Sequence, residues 1–316
     1  IFGRNTLTTN MIGFFYSTLV TVAPMFAIII NLVLMEYFLK FSTLGYAQRE
    51  LFSCTILYTF IFSLLTASPF NAVLSRYISD VIYEERYQDI LPCYHIGMML
   101  NIVLSCLVGI PFCLWEHFVG GVSVAYVFAG FWCYISLVFV FYSMIYLSIC
   151  KDYQRIAQYY IVGMLVAFFL SLFLRYICHW GITQSMLAAM DAGFFLTAVL
   201  ENALVKRYFR KNSNRYKPVL SYFKMYWQLV VTNFLYILGL YVHNFVFWTT
   251  DMRMVVVDSF VCNQPYDMAS CLAMFTNISA TIIFIARVEM YFHEKYKLYS
   301  EAVIGGRGAD IQNAKK

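Results

Sequence analysis

The chain has 316 residues, 61% of them hydrophobic and only 12% charged, with a formal net charge of +5 and a mean hydropathy of +0.68. Soluble domains are about 45–50% apolar and about 25% charged, so a wholly water-solvated fold is excluded and lipid must be part of the solvent. The small basic excess, scattered between long apolar runs, points to no nucleic-acid partner.

Taken in order, the apolar runs predict eight spanning helices, over 10–38, 51–75, 93–115, 122–150, 156–178, 182–205, 226–249 and 267–288. Each approaches or exceeds the roughly 20 apolar residues that a span needs. The runs are continuous rather than alternating, so helices and not a barrel satisfy the backbone in lipid. Pro24, Pro69 and Pro111 interrupt the first three; each removes a donor and frees a carbonyl, and Asn71 stands where it can satisfy the one near Pro69. The chain opens at Ile1 with no signal-peptide pattern, and a fragment is expected.

Lys and Arg fix the expected orientation. Only Lys40, Arg49, Arg175 and Arg253 fall in one set of loops; the other 18 of the 22 basic residues fall in the alternate set, which includes both ends of the chain. Both ends are therefore expected in the cytoplasm. The most basic inter-span stretch, KRYFRKNSNRYKP over 206–218, is expected to set topology beside anionic lipid and to join two lobes. The predicted organisation is all-α and polytopic: a six-helix lobe over 1–205, a basic linker over 206–218, two helices of a second lobe over 219–288, and an amphipathic cytoplasmic segment over 289–316.

Polar groups inside spans mark cavities or helix contacts. Gln184, Asp191 and Asn202 share one helical face with Ala188 and Ala198, either a path-lining stripe or an interhelical contact. Glu201 is expected at the interface. Asn233, Tyr236, His243 and Asn244 occupy one arc of the seventh span; His243 is a candidate for proton coupling, though a packing role is the commoner one. The loop around Arg76, Glu84, Glu85 and Arg86, with Lys206, Arg207, Arg210 and Lys211, offers docking surfaces. The nine cysteines mostly lie in apolar runs and read as packing residues; Cys262 and Cys271 are a possible pair near one membrane face. Asn277-Ile-Ser279 is a glycosylation triplet buried in a span. No P-loop, HExxH or catalytic triad context appears, so no cofactor and no enzyme activity are expected.

Two stretches, SPFNAVLSRYISDVIYEERYQDILP from Ser68 and ARVEMYFHEKYKLYSEAVIGGRGADIQNAKK from Ala286, resemble the PelG family of Pel exopolysaccharide transporters, within the multidrug/oligosaccharidyl-lipid/polysaccharide flippase superfamily. The opening RNTLTTNMIGFFYSTLVTVAPM is similar to that family's first helix. The resemblance implies two six-helix lobes around an alternating cavity, a galactosamine-rich polymer as substrate, and PelD-, PelE- and PelF-like partners, the first a cyclic-di-GMP receptor. It assigns no substrate residues, and the chain departs from it by stopping after eight helices. Two alternatives stand beside polysaccharide export. One is a cation-coupled small-molecule exporter with Asp191 as coupling acid; the other is a scaffold for a cytoplasmic glycosyltransferase.

Overall fold

The computed structural model describes residues 7–150, 152–273 and 276, with side chains from Val22 onward. The chain divides into two compact units, Ala23–Asp267 and a second formed by Ile1–Val22 with Met268–Lys316. Most of the eighth expected span, the triplet at Asn277 and the tail lie outside the described residues.

Helices follow the apolar runs: α1 (Leu7–Phe38), α2 (Tyr46–Ala67), α3 (Asn71–Tyr83), α4 (Ile90–Phe118), α5 (Val124–Ile149), α6 (Tyr153–Tyr176), α7 (Ile182–Tyr208), α8 (Lys217–Met225) and α9 (Trp227–Trp248). Six of them, α2, α4, α5, α6, α7 and α9, are long and apolar enough to cross a membrane. The result is an all-α polytopic membrane protein. Successive spans alternate in direction. One end of the bundle therefore carries the C-termini of α2, α5 and α7 with most of the basic loops, and is called the basic end here.

The second expected span needs correction. It starts earlier, at Tyr46, and stops at Ala67 rather than continuing to 75. Pro69 lacks the N–H that Leu65's carbonyl would take four residues on, and the Ser68 hydroxyl reaches that carbonyl instead, at 3.4 Å. Ser68's own carbonyl receives the backbone N–H of Asn71 at 3.1 Å and the Asn233 side-chain amide from α9. Asn71 thus acts through its backbone, not its side chain. The following α3 has 13 residues, about 20 Å at 1.5 Å per residue, too short for a core of about 30 Å. It packs its apolar face inward (Val73, Leu74, Tyr77, Ile78 and Val81 are buried) and meets α8, whose Tyr222 hydroxyl donates to Asp80 at 3.0 Å.

Small residues let α6 and α7 cross closely. A Cβ on Gly163 would lie 2.6 Å from the Gly193 carbonyl oxygen, and one on Gly193 would lie 2.7 Å from that of Gly163. Ala167 and Thr197, each four residues on, flank the crossing. Hydroxyls tie α2 to α5: Thr55 shares a hydrogen bond with Tyr126 at 3.0 Å, and Tyr134 donates to Thr66 at 3.1 Å. On α1, buried Asn31 turns its amide toward the sulfurs of Met35, Met164 and Met190, at 3.9, 3.6 and 3.4 Å.

One element breaks the all-helical expectation. After α9 the chain forms an antiparallel hairpin, β1 (Met254–Val256) with β2 (Phe260–Cys262), in register Val256↔Phe260 and Met254↔Cys262. Val257 and Asp258 both hold positive φ, 52° and 53°, as a tight turn matched to strand twist requires. A β-branched residue is strained there. The hairpin packs on α2 through Cys54, Val256, Phe260 and Cys262. A helix then starts at 264, and Asp267 secures the junction. Its carboxylate accepts from the Asn244 amide at 2.7 Å, the Trp248 indole at 3.1 and 3.2 Å, and the Asn263 backbone at 3.0 Å.

Candidate functional site

The polar face of α7 remains a face in three dimensions. Gln184, Asp191 and Asn202 are all half-buried, at the border between the residues packed on α5 and α6 and the exposed row of Phe195 and Val199. Asp191 is oriented from α5 by Ser136, whose hydroxyl donates to it at 3.0 Å. Asn202 keeps a buried carbonyl oxygen that has no hydrogen-bond partner among the described residues.

Glu201 overturns the interfacial expectation: it is 0% exposed. Neither of its carboxyl oxygens has a hydrogen-bond partner among the described residues. Sequence position, four residues before the expected end of the span at 205, suggested water; the packing of neighbouring Ala198, Leu204 and Val205 into the same core removes it.

The arc on α9 is divided. Asn233 and Asn244 hold the α2 break and Asp267, as described. Tyr236 is exposed, and His243, half-buried, meets the Tyr266 ring edge-on at 5.6 Å. The structure brings these four to one helix but not to one cavity.

The loop after α3 and the basic stretch after α7, in contrast, meet. Arg207, Arg210 and Lys211 line a cleft of about 580 Å³ with Tyr87, Gln88 and Arg155, and the Ser213 backbone N–H donates to the Gln88 carbonyl at 3.0 Å, pinning the stretch after α7 to the loop after α3. Arg155 lies over the Tyr208 ring, 6.0 Å from its centroid. Arg86 is engaged by Glu84 at 2.6 Å and Asp89 at 2.8 Å, while Glu85 is exposed with φ 58°. Arg76 sits over the Tyr226 ring at 4.8 Å, and Lys206 is exposed. Arg155 was no sequence candidate; only the fold carries it beside Arg207.

A second cleft, about 590 Å³, opens at the opposite end, where α1 hands over to α2. Glu36, Tyr37, Tyr46, Arg49 and Glu50 line it with Gln264, whose amide donates to Glu50 at 2.9 Å. Among the described residues, no cluster of His, Cys, Asp and Glu could hold a metal ion.

Geometry alone does not fix what such a bundle does; the family comparison does. The family model described as "PelG: Putative exopolysaccharide Exporter (EPS-E)" matches residues 1–316. The chain belongs to the PelG family. That makes it a multi-pass membrane protein of an exporter family, with an exopolysaccharide as the substrate class, and the cytoplasmic membrane of a bacterium fits it. No curated protein and no solved structure matches the chain.

Proposed function

We propose that this chain carries Pel-type exopolysaccharide across the cytoplasmic membrane, as the membrane subunit of a synthesis and secretion complex. The observation that carries the reading is the half-buried polar face of α7, with Ser136 orienting Asp191, in a bundle with a cleft at either end. A sugar polymer presents hydroxyl and amide groups, and carboxylate, amide and aromatic side chains meet that chemistry. Both ends of the chain are cytoplasmic in this reading, because 18 of 22 basic residues share one set of loops. Residues 1–205 form the first lobe, 206–218 the linker and 219–288 the start of a second. The basic cleft around Arg207 and Arg210 is where cytoplasmic partners of the PelD, PelE and PelF kind dock, since clustered cations steer acidic surfaces.

Removing the full-length gene is expected to abolish surface polysaccharide while polymer accumulates inside the cell. Unchanged secretion sinks the proposal, and loss of synthesis itself supports the scaffold role instead. Cation-coupled efflux of small molecules, with Asp191 as the acid, rests on the same Ser136–Asp191 pair; vesicles in which Asp191→Asn leaves drug efflux intact, or which show none at all, remove it.

A further inference from the structure

Nine cysteines lie in the sequence, and packing brings two of them together from distant parts of it. Cys54 is on α2, one turn before Tyr58 and on the same helical face. The Tyr58 hydroxyl donates to the Val261 carbonyl at 2.7 Å and accepts from the Val261 N–H at 3.2 Å. Phe260 meets the Tyr58 ring edge-on at 5.0 Å, and Trp248 stacks on that ring at 4.7 Å. Strand β2 is thus held against α2 with its next residue, Cys262, beside Cys54. Both cysteines are 2% exposed and share one apolar cluster. The alternative partner, Cys271, is exposed.

We propose that Cys54 and Cys262 form a disulfide that staples the hairpin to α2. The compartment follows from the orientation in the proposed function, on which this inference rests: the hairpin lies at the end away from the basic loops, outside the cytoplasm, where disulfides persist. The two thiols give up two protons and two electrons to the disulfide of an extracytoplasmic thiol oxidoreductase, which departs as a dithiol. Because both sulfurs are buried once the hairpin docks, the bond closes during folding and is afterwards shielded from reductants. It has a mechanical meaning for transport. The contact between α2 and the hairpin stays shut through the cycle, so the path opens elsewhere at that end.

The test uses the full-length protein in its own membrane. Free thiols are blocked with maleimide without reduction, and the digest is read by mass spectrometry. A linked peptide pair holding Cys54 and Cys262, released by reductant, is expected. Blocked thiols at both positions, or Cys262 joined to Cys271, overturns the proposal. In parallel, a membrane-impermeant maleimide is applied to intact cells and labelling is read at exposed Cys178, which lies at the same end of the bundle. Labelled Cys178 with both partners free removes the disulfide alone. Unlabelled Cys178 with both partners free removes the orientation and the disulfide with it.

Discussion

Helices α5 and α7 and helix α9 are comparable spans held in opposite ways. Half of the most apolar stretch of α5 and of α7 is buried, against 6% for α9. The crossing of α7 with α6 is a continuous seam set by Gly163 and Gly193. By contrast, α9 is fastened near its ends, by Asn233 to the Ser68 carbonyl and by Trp248 and Asn244 to Asp267. In lipid, apolar contact adds little to helix association, so close backbone approach and hydrogen bonds do the holding. A seam resists any relative motion of its helices. Between its two fasteners, α9 meets α2 through the partly buried Ile237, Leu238, Tyr241 and Phe245 against Ile61 and Leu65, a looser hold than a seam.

The comparison predicts a graded response. Gly193→Leu places a side chain where a Cβ already sits 2.7 Å from the Gly163 carbonyl. Overpacking of this kind costs about 1–3 kcal/mol and sometimes more, and the expected readout is loss of monodisperse protein on size exclusion. Asp267→Ala strands the buried donors of Asn244 and Trp248, about 1–3 kcal/mol. Its damage is expected to stay local, as faster hydrogen exchange over 244–263 with α5–α7 protection unchanged. Equal deprotection of both regions breaks the distinction between seam and fastener. Glu201→Gln is expected to have the smallest effect, a melting temperature unchanged or raised. A neutral isostere fills the same dry site without the cost of an unpaired charge. A large drop in melting temperature would show that the carboxylate itself has a partner in the folded protein.

Span positions were legible because continuous apolar runs record lipid contact directly. What the runs hid was where a helix stops inside one. Residues 68–75 stay apolar enough to read as helix, and only the hydrogen bonds around Pro69 show the break. The hairpin was hidden for another reason: residues 250–266 fall between two expected spans, and the turn uses Val257 and Asp258 in place of the Asn-Gly pair that announces such turns. In the candidate site, the α7 face was legible from helical spacing. Burial of Glu201, the meeting of Gln88 with Ser213, and the approach of Cys262 to Cys54 depend on contacts between distant residues that no local pattern encodes.

The joint at Ser68–Pro69 has one consequence for how force travels. A proline break ordinarily leaves bare carbonyls that resist exposure to lipid, which makes bending there costly. Here the Ser68 hydroxyl covers Leu65 from within α2, whereas Asn233 covers Ser68 from α9. The Ser68 carbonyl therefore keeps both its donors, the Asn71 N–H and the Asn233 amide, only along motions that α9 follows. Swinging α3 with α9 keeps the carbonyl covered; swinging it alone strips the amide away. The break acts as a universal joint with a guide rail, and the rail is the first span of the second lobe in the proposed arrangement.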